Sequence, residues 1–305
     1  MGQDLHLYRH HFRAMACDNE LQLYAPDARQ GDAAAHAAIA EVKRIEAKYS
    51  RYLPDSVVSA INRAAGVAPV MLDPESRHLL DYADTCYRQS AGLFDISSGV
   101  LRRVWNFKSL ELPANSSIGA ALGLIGWDKI ERSDTHIRLP IAGMEIDFGG
   151  FGKEYAVDRA AAILTSYGIA NAMINLGGDL MVLGPHPGGR PWHVGIRHPR
   201  TDNTTLATLA ITSGGLASSG DYERFIELDG RRYSHILNPK TGWPVVDSFQ
   251  SVTVEAPTCL VAGSATTIAM LKGALAGRDW LHSLGLPYLA VDADGKKWDT
   301  AVSHC

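Results

Sequence analysis

The sequence predicts an α+β fold, two-lobed, with mixed or antiparallel sheets flanked by helices. Two observations carry this reading. Helical periodicity dominates the first half of the chain, whereas two-residue alternation and tight-turn signals dominate the second. A third is size: 305 residues at roughly 150 per domain suggest two domains or one large two-lobed unit.

Three stretches read as helices. From Asp32 onward, Ile39, Val42, Ile45 and Tyr49 recur every three or four residues and share one face. A second helix follows Asp73-Pro74, with Leu79, Tyr82, Ala83, Cys86 and Tyr87 inward and Gly92 past its end. The third follows GGFGKEYAVD, with Ala156, Ala160, Ile163, Leu164 and Tyr167 inward and Gly168 as the residue after its cap. Four later segments, 205–212, 222–228, 231–237 and 251–257, read as strands. Asp229-Gly230 between the middle two is a strong type I′ hairpin signal. A helix over AGSATTIAML, another around Trp280 and a hairpin turning at 292–295 complete the order. Residues 184–191, GPHPGGRP, read as an exposed loop.

Composition narrows the function. With 29 Lys and Arg against 33 Asp and Glu, the chain has no electrostatic footprint for nucleic acid. Cys17, Cys86, Cys259 and Cys305 are scattered without metal-ligand spacing, and read as three packed small side chains and a terminal thiol. The first twenty residues lack the apolar core of a secretory leader, and no run of about 18 apolar residues predicts a membrane span. A cytoplasmic location is expected for the chain as written; removal of a leader would make it periplasmic.

Glycines gather at DFGGFGKE (147–154), NLGGDL (175–180) and TSGGLASSGDY (212–222). Glycine at a strand-to-helix junction lets backbone N–H groups approach phosphate oxygens, and Lys153 adds a positive charge to the first cluster. Neither a G-x-G-x-x-G nor a Walker A pattern is present. His235, in SHILNPKTGWPV (234–245), ends a strand one hairpin away from the third cluster.

In this order, FRAMAC, SRYLPDSVVSAIN, GLFDISSGVLRRVW, DFGGFGKEYAVD, NLGGD, ASSGDYERF, YSHILNPKTGWPV and APTCLVAGSATTIAML resemble the ApbE family of flavin transferases. These blocks span residues 12 to about 273. The resemblance implies one ApbE-like domain over 1–305, helix-rich to about 145 and strand-rich beyond, with a flavin cleft between lobes. It also implies a reaction: FMN moves from FAD, the substrate, onto a Thr or Ser hydroxyl of an acceptor protein, and AMP is released. Position by position, it implies flavin contacts from Met15, Tyr52, Leu93, Phe94, Asp95 and Ile236, with Asp147 and Lys153 holding the nucleotide. His235 takes the place of the base for the acceptor hydroxyl, a role that suits a neutral imidazole. Magnesium would be held by the Gly150 carbonyl with Thr266 and Thr267. The family's aspartate one helical turn before Thr267 is Gly263 here, a departure because Mg²⁺ usually keeps one or two carboxylates. An aspartate restored at 263 is expected to tighten magnesium binding where the site is otherwise intact. The alternatives are an FAD-binding protein without transfer activity and a metal-dependent FAD pyrophosphatase giving FMN and AMP.

Overall fold

A computed structural model describes residues 4–109 and 111–300; Cys305 lies outside them. Eight strands, His6–Ala14, Cys17–Ala25, Ala172–Leu176, Asp179–Leu183, Gly214–Gly220, Ser251–Ala256, Tyr288–Val291 and Lys297–Asp299, form one sheet. Each strand lies antiparallel to the one before it in this chain order. The remaining elements are therefore insertions between successive strands of a meander. The longest insertion, between Ala25 and Ala172, carries helices Ala28–Tyr49, Val57–Arg63, Pro74–Gln89, Asn115–Leu122 and Gly152–Ser166.

Alternation along the strands separates two apolar faces. Leu180, Val182, Leu216 and Leu289 point to one side, where Trp192, Ile196, Leu209 and Ile211 of the hairpin Trp192–Arg197/Thr205–Ile211 cover them. Val252, Val254 and Ala217 point to the other, into the main core with residues of the 28–49, 152–166 and Cys259–Lys272 helices. A third cluster, built on Trp105, Ile118 and Ile226, seats the small hairpin Phe225–Leu228/Arg231–Ser234.

The α+β class stands, with antiparallel pairing throughout the described strands. The three early helices form. The first starts at Ala28, four residues before Asp32, because Asp27 accepts a hydrogen bond from the Gln30 N–H as its N-cap. Asp73 caps the second through the Glu75 and Ser76 N–H groups, with Pro74 at the first helical position. Gly168 follows the cap of the third with φ +78°. Tyr167, expected inward, is 43% exposed; as the C-cap it has left the helical face that Leu164 buries. The strands expected over 222–228 and 231–237 are trimmed to 225–228 and 231–234. Asp229 and Gly230 both have positive φ, as a type I′ turn requires. Residues 184–191 contain no helix or strand, and Cys86 and Cys259 are buried.

The strands at residues 6–25 are a correction to the helix-first reading. Their hairpin turns on Met15 and Ala16, with φ +56° and +60°. L-residues rarely adopt that region, and each costs roughly 1–2 kcal/mol there. No described helix is long and apolar enough to cross a membrane.

Candidate functional site

The segment 147–154 joins two polar clusters. At its first end Asp147 pairs with the Arg51 guanidinium and accepts a hydrogen bond from the Gly149 N–H (3.0 Å). Arg51 also donates to the Tyr52 hydroxyl (2.7 Å) and lies over the Tyr52 ring. Tyr52 itself is 73% exposed. Burial alone would raise its pKa, but Arg51, Arg224 and Arg102 lower it. A side chain on Gly99 would meet Asp147, and one on Gly150 would strike the Phe94 ring at 2.9 Å. Glycine at 150 is thus what lets this turn close over Phe94, which stacks on Phe151.

At the second end the 152–166 helix begins without a side-chain cap. Lys153 forms an ion pair of 2.8 Å with the buried Asp179. Burial would lower the Lys153 pKa, but Asp179 outweighs it and the ammonium is firmly held. Asp179 starts the strand after the two-residue turn Gly177-Gly178, both at positive φ, whose N–H at Gly178 is held by the Asn175 side chain. The NLGGD block is therefore a type I′-like hairpin turn. Cys17 sits beneath it, close enough that a side chain on Gly177 would touch its sulfur. Burial raises the Cys17 thiol pKa, so it is no ready nucleophile.

Beside this ion pair, Glu154 is buried. Burial, then Asp179, push its pKa up. The third glycine cluster packs on the helix that carries Gly263, the 259–272 helix. Gly215 lets the strand 214–220 approach the helix 259–272: a side chain there would lie 2.2 Å from the Cys259 nitrogen. Ser219 of that strand reaches Thr266 Oγ1 (2.9 Å) and Thr267 Oγ1 (3.4 Å). Thr266 in turn donates to the Gly263 carbonyl (2.8 Å).

His235 directly follows the strand 231–234. Its backbone N–H donates to the Arg224 carbonyl (3.0 Å), and Nδ1 lies 3.2 Å from the same oxygen. A carbonyl can only accept, so Nδ1 carries the proton and Nε2 keeps its lone pair. Burial, followed by Arg224, lowers the His235 pKa, leaving a neutral ring at pH 7.

The ApbE family model matches residues 15–290. The chain belongs to the ApbE family. It is 30% identical over 266 residues to the FAD:protein FMN transferase of Salmonella typhimurium, covering 83% of this chain and 75% of that one. The corresponding enzyme of Klebsiella pneumoniae is 32% identical over 239 residues, covering 77% and 72%. Among solved structures, the ApbE protein of Thermotoga maritima superposes with a TM-score of 0.85 at 30% identity, covering 97% of each chain. The apo flavinyl transferase ApbE of Pseudomonas stutzeri shares the fold, with a TM-score of 0.88 at 24% identity.

Within this ApbE chain the expected residues fall into distinct places. Asp147 and Tyr52 meet through Arg51, Lys153 lies at the far end of the same segment, and Thr266 and Thr267 lie across from Ser219. Met15 occupies the strained hairpin turn and its N–H donates to Glu46 (2.8 Å). Leu93 and Ile236 are half-buried against the core. Phe94 is buried rather than displayed. The Asp95 carboxylate is engaged by the Ser97 N–H (2.8 Å) and hydroxyl (2.6 Å) and by the Trp127 N–H (3.0 Å); it caps the 3₁₀ turn Ile96–Arg103. Arg51, Ser219 and Glu154 join the site without being singled out by the sequence. Each stands inside or beside a quoted block, yet nothing in residue spacing separates them from ordinary surface or core positions.

A cavity of about 610 Å³ is lined by Glu41, Arg44, Glu75, Tyr82, Tyr155 and Arg159, among others. Its charges are paired with one another, which marks it as a helix-to-helix seam.

Proposed function

We propose that this chain transfers FMN from FAD to a Thr or Ser hydroxyl of an acceptor protein. The supporting observation is the 147–154 segment, which joins polar groups from Asp147 to Lys153 in a chain whose relatives are FAD:protein FMN transferases. In this reading the acceptor oxygen attacks the FMN-side phosphorus. The bond from that phosphorus to the bridging oxygen breaks, AMP leaves, and the hydroxyl proton passes to Nε2 of His235.

The side chains divide the work. Lys153, anchored by Asp179, faces the pyrophosphate with a fixed positive charge, while the uncapped start of the 152–166 helix favours anionic oxygen. Tyr52 and Met15 offer the surfaces against which a flavin ring packs, with Leu93 and Ile236 behind. Phe94 supports the Gly150 turn from beneath, and Asp95 positions Leu93 and Phe94 by fixing the following turn. Asp147 acts through its tie to Arg51.

Magnesium is implied by the family resemblance, and the residues present fit a hard cation. The Gly150 carbonyl and the Thr266 and Thr267 hydroxyls are oxygen donors, and a buried carboxylate oxygen nearby, Glu154 Oε2, meets no hydrogen-bond donor. When bound, the ion would neutralise pyrophosphate oxygens and stabilise the leaving phosphate. No group of three or more His, Cys, Asp or Glu with metal-site geometry occurs among the described residues, so hydroxyl and carbonyl oxygens would carry much of the ligation.

Incubation with FAD, Mg²⁺ and a Thr/Ser peptide acceptor tests the reading. A peptide heavier by an FMN phosphoryl group, with AMP in equal amount, is expected. AMP and free FMN without labelled peptide would support hydrolysis instead, and unchanged FAD that stays bound would leave only a binder.

A further inference from the structure

Gly263 has lost a side chain, but its place is not empty. A Cβ on Gly263 would stand 2.6 Å from both Cγ and Oε1 of Glu154, and 2.9 Å from Cδ. An aspartate carboxyl carbon sits about 1.5 Å beyond its Cβ, so the Glu154 carboxylate fills the volume that an aspartate at 263 would claim. Glu154 arrives from the neighbouring helix, at the third residue of Gly152–Ser166, and is 8% exposed. Its Oε2 is buried and has no hydrogen-bond partner. A buried, unpartnered carboxylate oxygen is costly, and native proteins keep one where something else completes it. The adjoining Lys153 turns its ammonium to Asp179 at 2.8 Å and makes no hydrogen bond to this oxygen.

We propose that Glu154 supplies the carboxylate ligand of the divalent-cation site in place of the residue missing at Gly263, together with Thr267 on the facing helix. This rests on the reading of the cleft as an FAD and Mg²⁺ site. The two positions form a reciprocal pair: a carboxylate on the 152–166 helix requires glycine opposite, and a carboxylate on the 259–272 helix requires a small residue at 154. Aspartate added at 263 while Glu154 remains would force two carboxylates into one volume. With that volume filled by Glu154, Gly263→Asp alone is expected to weaken the protein without tightening the site.

The test is Mn²⁺ uptake, followed by electron paramagnetic resonance in the presence of FAD, on the full chain. Wild-type protein is expected to bind one Mn²⁺. Glu154→Gln, which keeps shape and removes charge, should lose at least about tenfold in Mn²⁺ affinity while FAD affinity in EDTA stays within about twofold. The double variant Glu154→Gly with Gly263→Asp moves the carboxylate to the other helix and should recover most of the Mn²⁺ affinity. Equal Mn²⁺ affinity in wild type and Glu154→Gln overturns the proposal, as does a wild type that takes up no Mn²⁺ with FAD bound. Transfer is read separately. Loss of Mn²⁺ in Glu154→Gln from a wild type that labels no acceptor would sustain the ligand assignment and sink FMN transfer. Normal labelling with Mn²⁺ affinity indifferent to Glu154 would do the reverse.

Discussion

His235 shows how much chemistry one backbone contact can set. The Arg224 carbonyl 3.2 Å from Nδ1 fixes the tautomer, and burial with the nearby Arg224 charge keeps the ring neutral. Both effects leave Nε2 as a proton acceptor. Replacing His235 with Ala should lower the transfer rate by about 10²–10⁴-fold with FAD affinity nearly unchanged; equal losses in both would make His235 a purely structural residue. The pH profile carries a sign as well. A base must be unprotonated, and a pKa below the ordinary 6.5 means that activity persists to lower pH than a free imidazole would allow. Rates measured from pH 5 to 8 should therefore fall on an acidic limb centred below 6.5, and a limb above that value would assign the base elsewhere.

Among elements, the close seam between the strand Gly214–Gly220 and the helix Cys259–Lys272 matters most for the site. Gly215 permits it, and across it Ser219 meets Thr266 and Thr267. A methyl group at 215 would meet backbone, which cannot rotate away as a side chain can. Gly215→Ala is expected to destabilise the protein by about 2–3 kcal/mol, seen as a lower urea midpoint with unchanged slope. An unchanged midpoint would mean that the helix slides freely on the sheet. The same seam explains what was legible in the sequence. Helices with clear caps, such as Asp73-Pro74, and the Asp229-Gly230 turn could be read directly, because local chemistry sets them. The hairpin of residues 6–25 could not be, since Met15 and Ala16 hold its turn against their own preference. What keeps them there is tertiary: the Glu46 carboxylate on Met15 N and the pairing of Cys17–Ala25 with Ala172–Leu176. The motif blocks named most of the polar groups of the site. They could not name Glu154, whose meaning appears only when its helix is laid against Gly263.

Across the whole molecule, the meander keeps its strands in chain order, and most helices of the long insertion pack together in the main apolar core. A network of partly exposed ionic groups adds to that packing. Lys48 bonds Asp73 and Glu75 (both 2.7 Å), Arg44 bonds Glu75 (2.7 Å) and Glu41 (2.7 Å), Tyr155 donates to Glu75 (2.8 Å), and Arg159 reaches Glu41 (3.0 Å). Three helices, 28–49, 74–89 and 152–166, thus meet through one network, and the last of them carries Lys153 and Glu154. Partial burial would raise the Asp73 pKa, but Lys48 and Ser76 hold it down at about 2 against an ordinary 3.8. For Glu75 the Arg44 hydrogen bonds lead, and its pKa is likewise lowered from 4.5. A carboxylate whose pKa is lower in the folded state binds fewer protons there than in the unfolded chain. Its stabilisation is complete above the unfolded value and is lost as pH falls through the folded one. For Asp73 that window runs from 3.8 to about 2. Asp73→Asn keeps a capping side chain for the 74–89 helix but has nothing to titrate. Its melting temperature should lie roughly 1–3 °C below wild type at pH 6, a modest shift because the pair is partly exposed. Between pH 4 and pH 2.5 the gap should narrow, as wild type loses the contribution that the variant never had. Parallel melting curves across that range would show that the Asp73 charge does not help hold the helices together.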